Sequence, residues 1–369
     1  MNSPAHGGDV WSAARRRGIS VRHIVDFSAS INPLGLAPEA RRRLKRDIDL
    51  ISHYPDKRQE ELRALVASRE GVHSDCILFG NGATQLIHCI PRARACRKAM
   101  IIEPSFSEYR AAVESRGAKV VEFRTEAEKN FELDLKSLLH AIQIERPDLI
   151  FLGNPNNPTG ASIPRRTLSR VIKFCTNHLV DLVVDESFIE FSEQDSLAAV
   201  AARQPHLIVV RSFTKCFALA GLRIGYLVGH RSNVAKIALT VEPWSVNTLA
   251  LAAAAESLKG SGYLCKTLAL IRKERHYLSQ GLAKLGWLRP FPSEVNYLLV
   301  HIQAKGINGF VLRQKLDEEN ILIRDASGFC GLSPQYIRIA IRDRKQNRIL
   351  LAKLNDIGRR LKLDCEPKS

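Results

Sequence analysis

Ser212-Phe213-Thr214-Lys215 and, a little further on, Gly221-Leu222-Arg223-Ile224-Gly225-Tyr226 carry the strongest structural signal in this chain. The two segments place one lysine among hydroxyl groups and an arginine eight residues after it. A buried lysine amine can form a Schiff base with an aldehyde. Hydroxyl and guanidinium groups can hold a phosphate beside it. Taken alone, the segments leave open an ordinary loop with a surface lysine.

An aldehyde that also carries a phosphate group describes pyridoxal 5'-phosphate (PLP). We therefore predict that Lys215 is catalytic and binds this cofactor, with Ser212 and Arg223 beside the cofactor phosphate. A single short motif is weak evidence for a binding site. The prediction therefore depends on what the rest of the sequence offers to the same cofactor.

Two upstream motifs each place a polar side chain after an apolar strand. Leu182-Val183-Val184-Asp185-Glu186 ends in carboxylates, and Asp185 can sit against a protonated pyridine nitrogen, which makes the ring a stronger electron sink. Asn154-Pro155-Asn156-Asn157-Pro158-Thr159-Gly160 is a turn in which the Asn157 amide can donate to the ring's phenolic oxygen. Separately, Asp185 could be a helix N-cap and the asparagines plain turn residues. Together with the lysine segment, in this order, they favour a PLP site.

With these motifs the chain resembles the fold-type I PLP enzymes, the aspartate aminotransferase superfamily, over nearly its whole length. It is most similar to the branch that holds histidinol-phosphate aminotransferases and threonine-phosphate decarboxylases. Three segments resemble the decarboxylases: His6-Gly7-Gly8, residues 26–35 and Pro243-Trp244-Ser245-Val246-Asn247. The resemblance implies decarboxylation of L-threonine O-3-phosphate to (R)-1-amino-2-propanol O-2-phosphate, for the nucleotide loop of cobalamin. Histidinol-phosphate aminotransferase, or a related phospho-amino-acid aminotransferase, stays open as the alternative.

The resemblance also implies further cofactor contacts. The Gly-rich turn 80–85 lies between a strand and a helix, where glycines let the backbone approach a phosphate and the helix N-terminus offers free amides. Tyr109 matches the aromatic residue that stacks on the cofactor ring, with Phe106 as the alternative. Tyr54 matches a tyrosine that reaches the cofactor phosphate of the neighbouring subunit, so it carries the prediction of a homodimer. The predicted contacts in the turn are Gly82, Ala83 and Thr84.

Substrate contacts are implied at two arginines near the C-terminus and at an N-terminal arm. Arginine suits bidentate binding of a carboxylate or a phosphate. Phe188 departs from the aminotransferases, which usually have tyrosine there, so Asn157 is left as the main donor to the phenolic oxygen. The family often has asparagine in place of Ser30. The predicted substrate-binding residues are His6, Gly7, Ser30, Asn157, Arg324 and Arg338.

The order of apolar and helical patterns predicts an α/β protein. Seven strand-like runs alternate with helices from residue 76 to 228, which indicates a mostly parallel seven-stranded sheet with flanking helices. The remainder predicts a smaller α+β C-terminal domain. We expect an arm with little regular structure at 1–35, a large PLP-binding domain at 36–250 and the small domain at 251–369, with one long helical run from about 249 to 284.

Composition narrows the functional classes. The chain has 369 residues and 45% apolar residues, enough for a sizeable core, and no apolar run reaches the roughly 18 residues that a membrane helix needs. No secretory signal is evident at the N-terminus. The eight cysteines are scattered and form no C-x-x-C pair, which favours reduced thiols in the cytoplasm and no metal site.

The net charge of +17 is the strongest compositional bias. Its clusters, Arg15-Arg16-Arg17 and Arg41-Arg42-Arg43, have no interleaved aromatic residues, so we interpret them as solvated helix faces. A positive surface also attracts anionic small molecules such as a phosphorylated amino acid. A basic nucleic-acid-binding protein on an inactive PLP fold is the alternative from another class. The intact Lys215 and Asp185 argue against it, and we predict no nucleic-acid partner.

Overall fold

The computed structural model describes residues 7–363. Six of the helices in this range begin after a residue whose side chain accepts a hydrogen bond from the first turn. The helix bounds are α1 Val10–Arg17, α2 Pro38–Arg46, α3 Glu60–Glu70, α4 Gly82–Ala93, α5 Ser107–Glu114, α6 Leu135–Glu145, α7 Arg165–Asn177, α8 Ala198–Ala201, α9 Arg231–Ala238, α10 Thr248–Lys259, α11 Ser261–Ala283, α12 Gly309–Asp317 and α13 Arg344–Leu361.

The strands are short, and four consecutive ones between residues 149 and 229 are buried at every position, as expected for strands covered on both faces. The strand bounds are β1 Val25–Asp26, β2 Ile77–Asn81, β3 Lys98–Glu103, β4 Lys119–Arg124, β5 Leu149–Gly153, β6 Asp181–Asp185, β7 Leu207–Ser212, β8 Ile224–Gly229, β9 Leu288–Pro290, β10 Tyr297–Ile302, β11 Ile321–Leu322, β12 Arg324–Asp325 and β13 Tyr336–Ala340.

Seven strands form the large sheet, in the order β2-β8-β7-β6-β5-β3-β4. Strand β8 is antiparallel to both of its neighbours, and the other pairings are parallel. A parallel pairing needs a long crossover connection, whereas the loop 213–223 between β7 and β8 turns directly back. The predicted mostly parallel seven-stranded sheet is confirmed.

Successive side chains of the sheet alternate between two helical layers. Ile101, Phe151 and Val183 pack in one apolar cluster with residues of α4, α5 and α9. Their neighbours Met100 and Ile150 pack in a second cluster with residues of α6, α7 and α8. This period of two buries both faces of the sheet and leaves its edge at the carboxyl ends of the parallel strands for ligands.

The N-terminal arm differs from the prediction. It was expected to have little regular structure, but it contains α1 and β1. The Asp9 side chain accepts a hydrogen bond from the Ser12 amide, and Gly18 ends the helix in the left-handed region at φ 63°. Helix α1 buries two alanines against Ile24 and Leu322. An eight-residue helix has too short an apolar stripe to show a helical period in the sequence. The signal that the prediction missed was the pair of capping residues, Asp9 and Gly18.

The predicted long helix at 249–284 is also wrong as a single element. Gly260 adopts an extended conformation, with φ −118° and ψ 126°, and separates α10 from α11. Helix α10 packs on α2 and α3, whereas α11 packs on α13 and β9. Four antiparallel strands, β12-β13-β10-β9, form the second sheet, and β1 of the arm pairs with β11. The three domain boundaries stay predictions.

No helix within residues 7–363 combines the length and the apolar character that crossing a bilayer requires.

Candidate active site

A cavity of about 420 Å³ opens at the carboxyl edge of the large sheet. Strands β6 and β7 end there at Asp185 and Ser212, and the turn after β5 carries Asn157. Twelve of the predicted site residues line this cavity: Gly7, Ser30, Ala83, Thr84, Tyr109, Asn157, Asp185, Ser212, Lys215, Arg223, Arg324 and Arg338. His6 lies outside the described residues.

One end of the cavity fits a phosphate group. Gly82 has φ 77°, and a Cβ atom there would come within 2.7 Å of the Arg223 guanidinium, so only glycine lets the arginine approach. The hydroxyls of Ser212 and Thr214 lie 2.7 Å apart beside it. Helix α4 begins at Gly82, so its first-turn amides have no partner within the helix. Together these groups match the phosphate cup that the sequence predicts.

Lys215 lies in the loop that follows β7, with its amine in the cavity. Burial, then Arg338 and Arg223, lower the pKa of Lys215 to about 8, although Asp185 acts in the opposite direction. A large share of the amine is therefore unprotonated at mildly basic pH, as attack on an aldehyde requires. The amine lies 5.9 Å from the centre of the Phe188 ring, where an aminotransferase would usually offer a tyrosine.

Asp185 is held in place by two donors. The Tyr109 hydroxyl donates to Oδ2 at 2.7 Å, and the Ser187 amide donates to Oδ1 at 2.9 Å. Burial and the Asp185 carboxylate raise the pKa of Tyr109 well above its ordinary value, so the phenol stays protonated and remains a donor. Asp185 therefore presents a fixed, hydrogen-bonded carboxylate to the cavity, which suits a protonated pyridine nitrogen.

The Tyr109 ring has a contact that the sequence did not predict. It stacks on Phe151 with 5.1 Å between ring centres and 7° between planes. The Phe106 ring stands edge-on to Tyr109 at 5.8 Å and also lines the cavity. Phe151 covers only one face of Tyr109, and both Tyr109 and Phe106 line the cavity. Which of the two rings stacks stays a prediction.

Arg338 links the Asn157 turn to the arm. One guanidinium nitrogen donates to Asn157 Oδ1 and another donates to the Ser28 carbonyl at 2.9 Å. Because Oδ1 of Asn157 accepts from the arginine, its amide NH₂ is left to donate into the cavity. The guanidinium also lies 5.0 Å from the centre of the Tyr297 ring, which is fully buried.

The same wall of the cavity is prepared for a second anion. Arg324 and Arg338 are both buried, and Arg324 lies over the Phe329 ring at 5.7 Å. Burial and the neighbouring Arg338 lower the pKa of Arg324 to about 10. The Ser30 hydroxyl and Nε of Arg338 are buried without hydrogen-bond partners. Two repelling guanidiniums and unpaired polar atoms are stabilised when an anion binds between them.

The backbone around Gly7 and Gly8 explains why both positions of the arm require glycine. A Cβ atom at Gly7 would lie 2.2 Å from the Ser28 carbonyl oxygen, and Gly8 has φ 90°. The Gly8 amide donates to the Ser28 hydroxyl at 2.8 Å, and that hydroxyl donates to Asp26 at 2.6 Å. Gly7 and Gly8 therefore pack directly against Ser28, whose carbonyl accepts a hydrogen bond from Arg338.

Several cavity residues were not predicted. Ser28 and Ala29 lie in the segment that resembles the decarboxylases, so the segment was found without these contacts. Glu108 lines the cavity and pairs with His88 at 2.8 Å. These two residues lie on different helices, α5 and α4, so no local pattern could reveal the pair. The other unpredicted lining residues are Ile87, Ser107, Pro155, Ser187, Thr214 and Phe329.

Tyr54 does not line the cavity of its own chain. Its side chain is 81% exposed and packs on Trp244, with 4.9 Å between ring centres. Its predicted contact with a cofactor phosphate therefore requires a second subunit.

A lysine, a fixed carboxylate and a phosphate cup at the carboxyl edge of this sheet define a PLP-dependent enzyme. Residues 22–354 match the family described as aminotransferase class I and II, and the chain belongs to that family. PLP is the cofactor of this family and of this chain.

The relatives fall into two groups. The chain is 36% identical to threonine-phosphate decarboxylase of Salmonella typhimurium over 96% of each chain. It is 30% identical to a histidinol-phosphate aminotransferase of Methanothermobacter thermautotrophicus, over 95% of this chain and 93% of the relative. The crystal structure of L-threonine-O-3-phosphate decarboxylase from Porphyromonas gingivalis superposes with a TM-score of 0.81 at 27% identity, over 91% of this chain and 100% of that one.

Proposed function

We propose that this chain decarboxylates L-threonine O-3-phosphate to (R)-1-amino-2-propanol O-2-phosphate, for the nucleotide loop of cobalamin. One observation carries the proposal: the cavity has a second anion-binding wall, built from Arg324, Arg338 and the Ser30 hydroxyl, in addition to the cofactor's phosphate cup. A substrate with both a phosphate and a carboxylate uses such a wall. The relatives named as decarboxylases support the same assignment.

PLP, when bound, would supply an electron-accepting ring joined to the substrate's amino group. The bond to Cα that breaks would be the one that the protein's residues hold in the orientation at which its electrons can be accepted. The protein therefore selects the reaction by orienting the substrate. Residues that hold the substrate carboxylate would therefore decide whether CO₂ or the proton on Cα is lost.

Arg324 and Arg338 would provide this orientation. If the substrate phosphate occupies the arginine wall, the carboxylate is displaced from the position that it takes in an aminotransferase. Loss of CO₂ leaves the bonding electron pair on the substrate, and the Lys215 amine would deliver the proton that replaces CO₂ at Cα. Gly7 and His6 of the arm would cover the substrate.

The decisive experiment compares CO₂ release from threonine phosphate with acceptor-dependent turnover of histidinol phosphate. Purified enzyme with PLP and L-threonine O-3-phosphate should release one CO₂ per substrate without any oxoacid acceptor. Turnover of histidinol phosphate that needs 2-oxoglutarate, with no CO₂ release from threonine phosphate, would establish the aminotransferase alternative. L-serine O-phosphate is the matched comparison, because one methyl group contributes only about 1–3 kcal/mol of discrimination.

Replacing either arginine tests the second anion wall. We expect Arg324→Ala and Arg338→Ala each to raise KM for the phosphorylated substrate tens- to thousands-fold, because a lost contact to a buried anion costs about 2–5 kcal/mol. The measurement is steady-state CO₂ release together with pyridoxamine phosphate formation. Arg289→Ala is the control, since Arg289 lies on β9 outside the cavity. Unchanged KM in both variants would contradict the assignment of the phosphate site.

A homodimer is part of the proposal. Apolar side chains are exposed around the predicted trans-acting tyrosine: Ile48, Leu50, Ile51, Tyr54 and Trp244. Such a patch marks an interaction surface on a soluble protein. A second copy that covers it would bring Tyr54 to the partner's phosphate cup, which in one chain contains no tyrosine.

Mixed dimers test the trans contact of Tyr54. Tyr54→Phe should weaken PLP binding about 10- to 100-fold, the loss of one hydrogen bond to a charged group. Co-expression of Tyr54→Phe with Lys215→Ala should restore one tight site per mixed dimer, because that site takes Lys215 from one chain and Tyr54 from the other. Restoration is measured as tightly bound PLP per dimer. If the mixed dimer binds no tighter than Tyr54→Phe alone, Tyr54 does not act across the interface.

A further inference from the structure

Asn32 contacts the loop that carries the cofactor lysine, from outside that loop. Its backbone amide donates to the Lys215 carbonyl at 3.0 Å. Its side-chain amide donates to the carbonyl of the next residue, Cys216, at 2.7 Å. The carbonyls of two consecutive residues are thus held by one residue of the N-terminal segment.

Asn32 is itself rigidly anchored. It is 2% exposed, and its amide nitrogen also lies 2.7 Å from the Thr267 hydroxyl and 2.9 Å from the Tyr263 hydroxyl, both on α11. Its Oδ1 accepts from the Leu34 amide at 3.0 Å. A buried amide with all of these partners has one low-energy orientation, because any rotation leaves a buried polar group unpaired.

The lysine loop has little regular structure, although its apolar side chains are buried in the core. Between β7 and β8 the chain forms a turn at 214–217 and a short 3₁₀ turn at Ala220–Leu222. The Lys215 carbonyl has one further donor, the Ala218 amide at 3.4 Å, and Ala218 itself has a positive φ of 55°. The shorter of the two hydrogen bonds to the Lys215 carbonyl therefore comes from Asn32, while core packing holds the neighbouring side chains of the loop.

We infer that Asn32 is a positioning residue for Lys215, and that it couples the N-terminal arm to the cofactor lysine. The same segment forms part of the substrate wall, since the Ser30 hydroxyl and the Ser28 carbonyl both line the cavity side. Ser30, a proposed substrate contact of the arm, is thus two residues away from Asn32, which holds the backbone of the lysine loop. This inference rests on Lys215 as the cofactor lysine and holds for decarboxylase and aminotransferase chemistry alike.

The test compares two buried asparagines that both hold the arm. Asn32→Leu removes the donor to Cys216. Asn296→Leu is the matched control, because Asn296 is fully buried and donates at 2.9 Å to the Ser30 carbonyl, not to the lysine loop. We expect Asn32→Leu to speed PLP release from the holoenzyme about tenfold, the effect of one lost buried hydrogen bond. Asn296→Leu should raise KM for the substrate and leave PLP release unchanged.

A spectroscopic titration separates positioning from general loosening. The charged groups that act on the Lys215 amine are Arg338, Arg223 and Asp185. In Asn32→Leu the loosened amine lies less often beside the two guanidiniums, so the pH midpoint of the holoenzyme's visible absorption band should rise. Equal PLP release and an equal midpoint in the two asparagine variants would overturn the inference. Asn32→Ser, which cannot reach Cys216, serves if Asn32→Leu does not fold. Borohydride labelling of a lysine other than Lys215 would instead refute the proposed function.

Discussion

Lys215→Ala should abolish the covalent attachment of PLP and remove almost all turnover. The variant loses the amine that binds the cofactor aldehyde and, in the proposed reaction, the same amine that places a proton on Cα. Borohydride reduction of the wild-type holoenzyme, followed by peptide mapping, should place the pyridoxyl group on Lys215. A label on any other lysine would refute the assignment of the site.

Lys215→Arg is the matched control for charge. It keeps a cation near Asp185 and Phe188 but has no amine that can form a Schiff base. Loss of attachment in both variants assigns the effect to the amine, whereas attachment that survives in Lys215→Arg would contradict the prediction. The pH dependence gives an independent check. Because the pKa of Lys215 is lowered to about 8, PLP capture by the unloaded protein should accelerate as pH rises through 8. An ordinary lysine would show this rise near 10.4.

The polar residues at the strand ends could be predicted from the sequence, because each of them ends an apolar run. Asp185 and Ser212 end apolar runs, and parallel strands bring their carboxyl ends to one edge. The order of these runs therefore predicted that Asp185 and Ser212 lie together, and both line one cavity. Their contacts with the cofactor stay predictions. Arg223 was found for a related reason, since β8 runs antiparallel and begins beside the same edge.

Contacts made by the arm were not predictable in the same way. Arg338 reaches the Ser28 carbonyl, and Asn32 reaches Cys216, across more than 180 residues of sequence. Every residue has a backbone carbonyl, so the sequence does not indicate which carbonyl accepts a given hydrogen bond. Only the structure shows this. The resemblance found the segment 26–35 but gave no reason for its asparagine. The structure supplies that reason, because Asn32 donates hydrogen bonds to the carbonyls of Lys215 and Cys216 in the lysine loop.

Aromatic roles also needed the structure. Phe106 directly precedes α5 and Tyr109 lies in its first turn, so both aromatic residues are near the cavity and the sequence could not separate them. The hydrogen bond from the Tyr109 hydroxyl to Asp185 and the stacking of its ring on Phe151 distinguish the two. The tyrosine supports the carboxylate, and both rings line the cavity, so which of them stacks on the cofactor stays a prediction.

Asp185→Asn should leave the fold intact and lower turnover by several orders of magnitude. An opposite charge within a few ångströms raises the pKa of a pyridine nitrogen, and the neutral amide removes that charge. An unprotonated ring is a poorer acceptor for the electron pair left by CO₂. The amide is nearly isosteric with the carboxylate, so Tyr109 and Ser187 keep a partner and PLP should remain attached.

Asp181→Asn is the control that separates this electronic effect from the loss of a buried charge. Asp181 is buried at the other end of the same strand, where it pairs with Arg94 and His206. Its replacement should lower the melting temperature without changing turnover or the visible spectrum of the bound cofactor. Asp185→Asn should do the reverse, with a changed spectrum and little loss of stability. Near-normal turnover in Asp185→Asn would show that this carboxylate does not face the pyridine nitrogen, because no structural role predicts slow chemistry in a well-folded, cofactor-loaded protein.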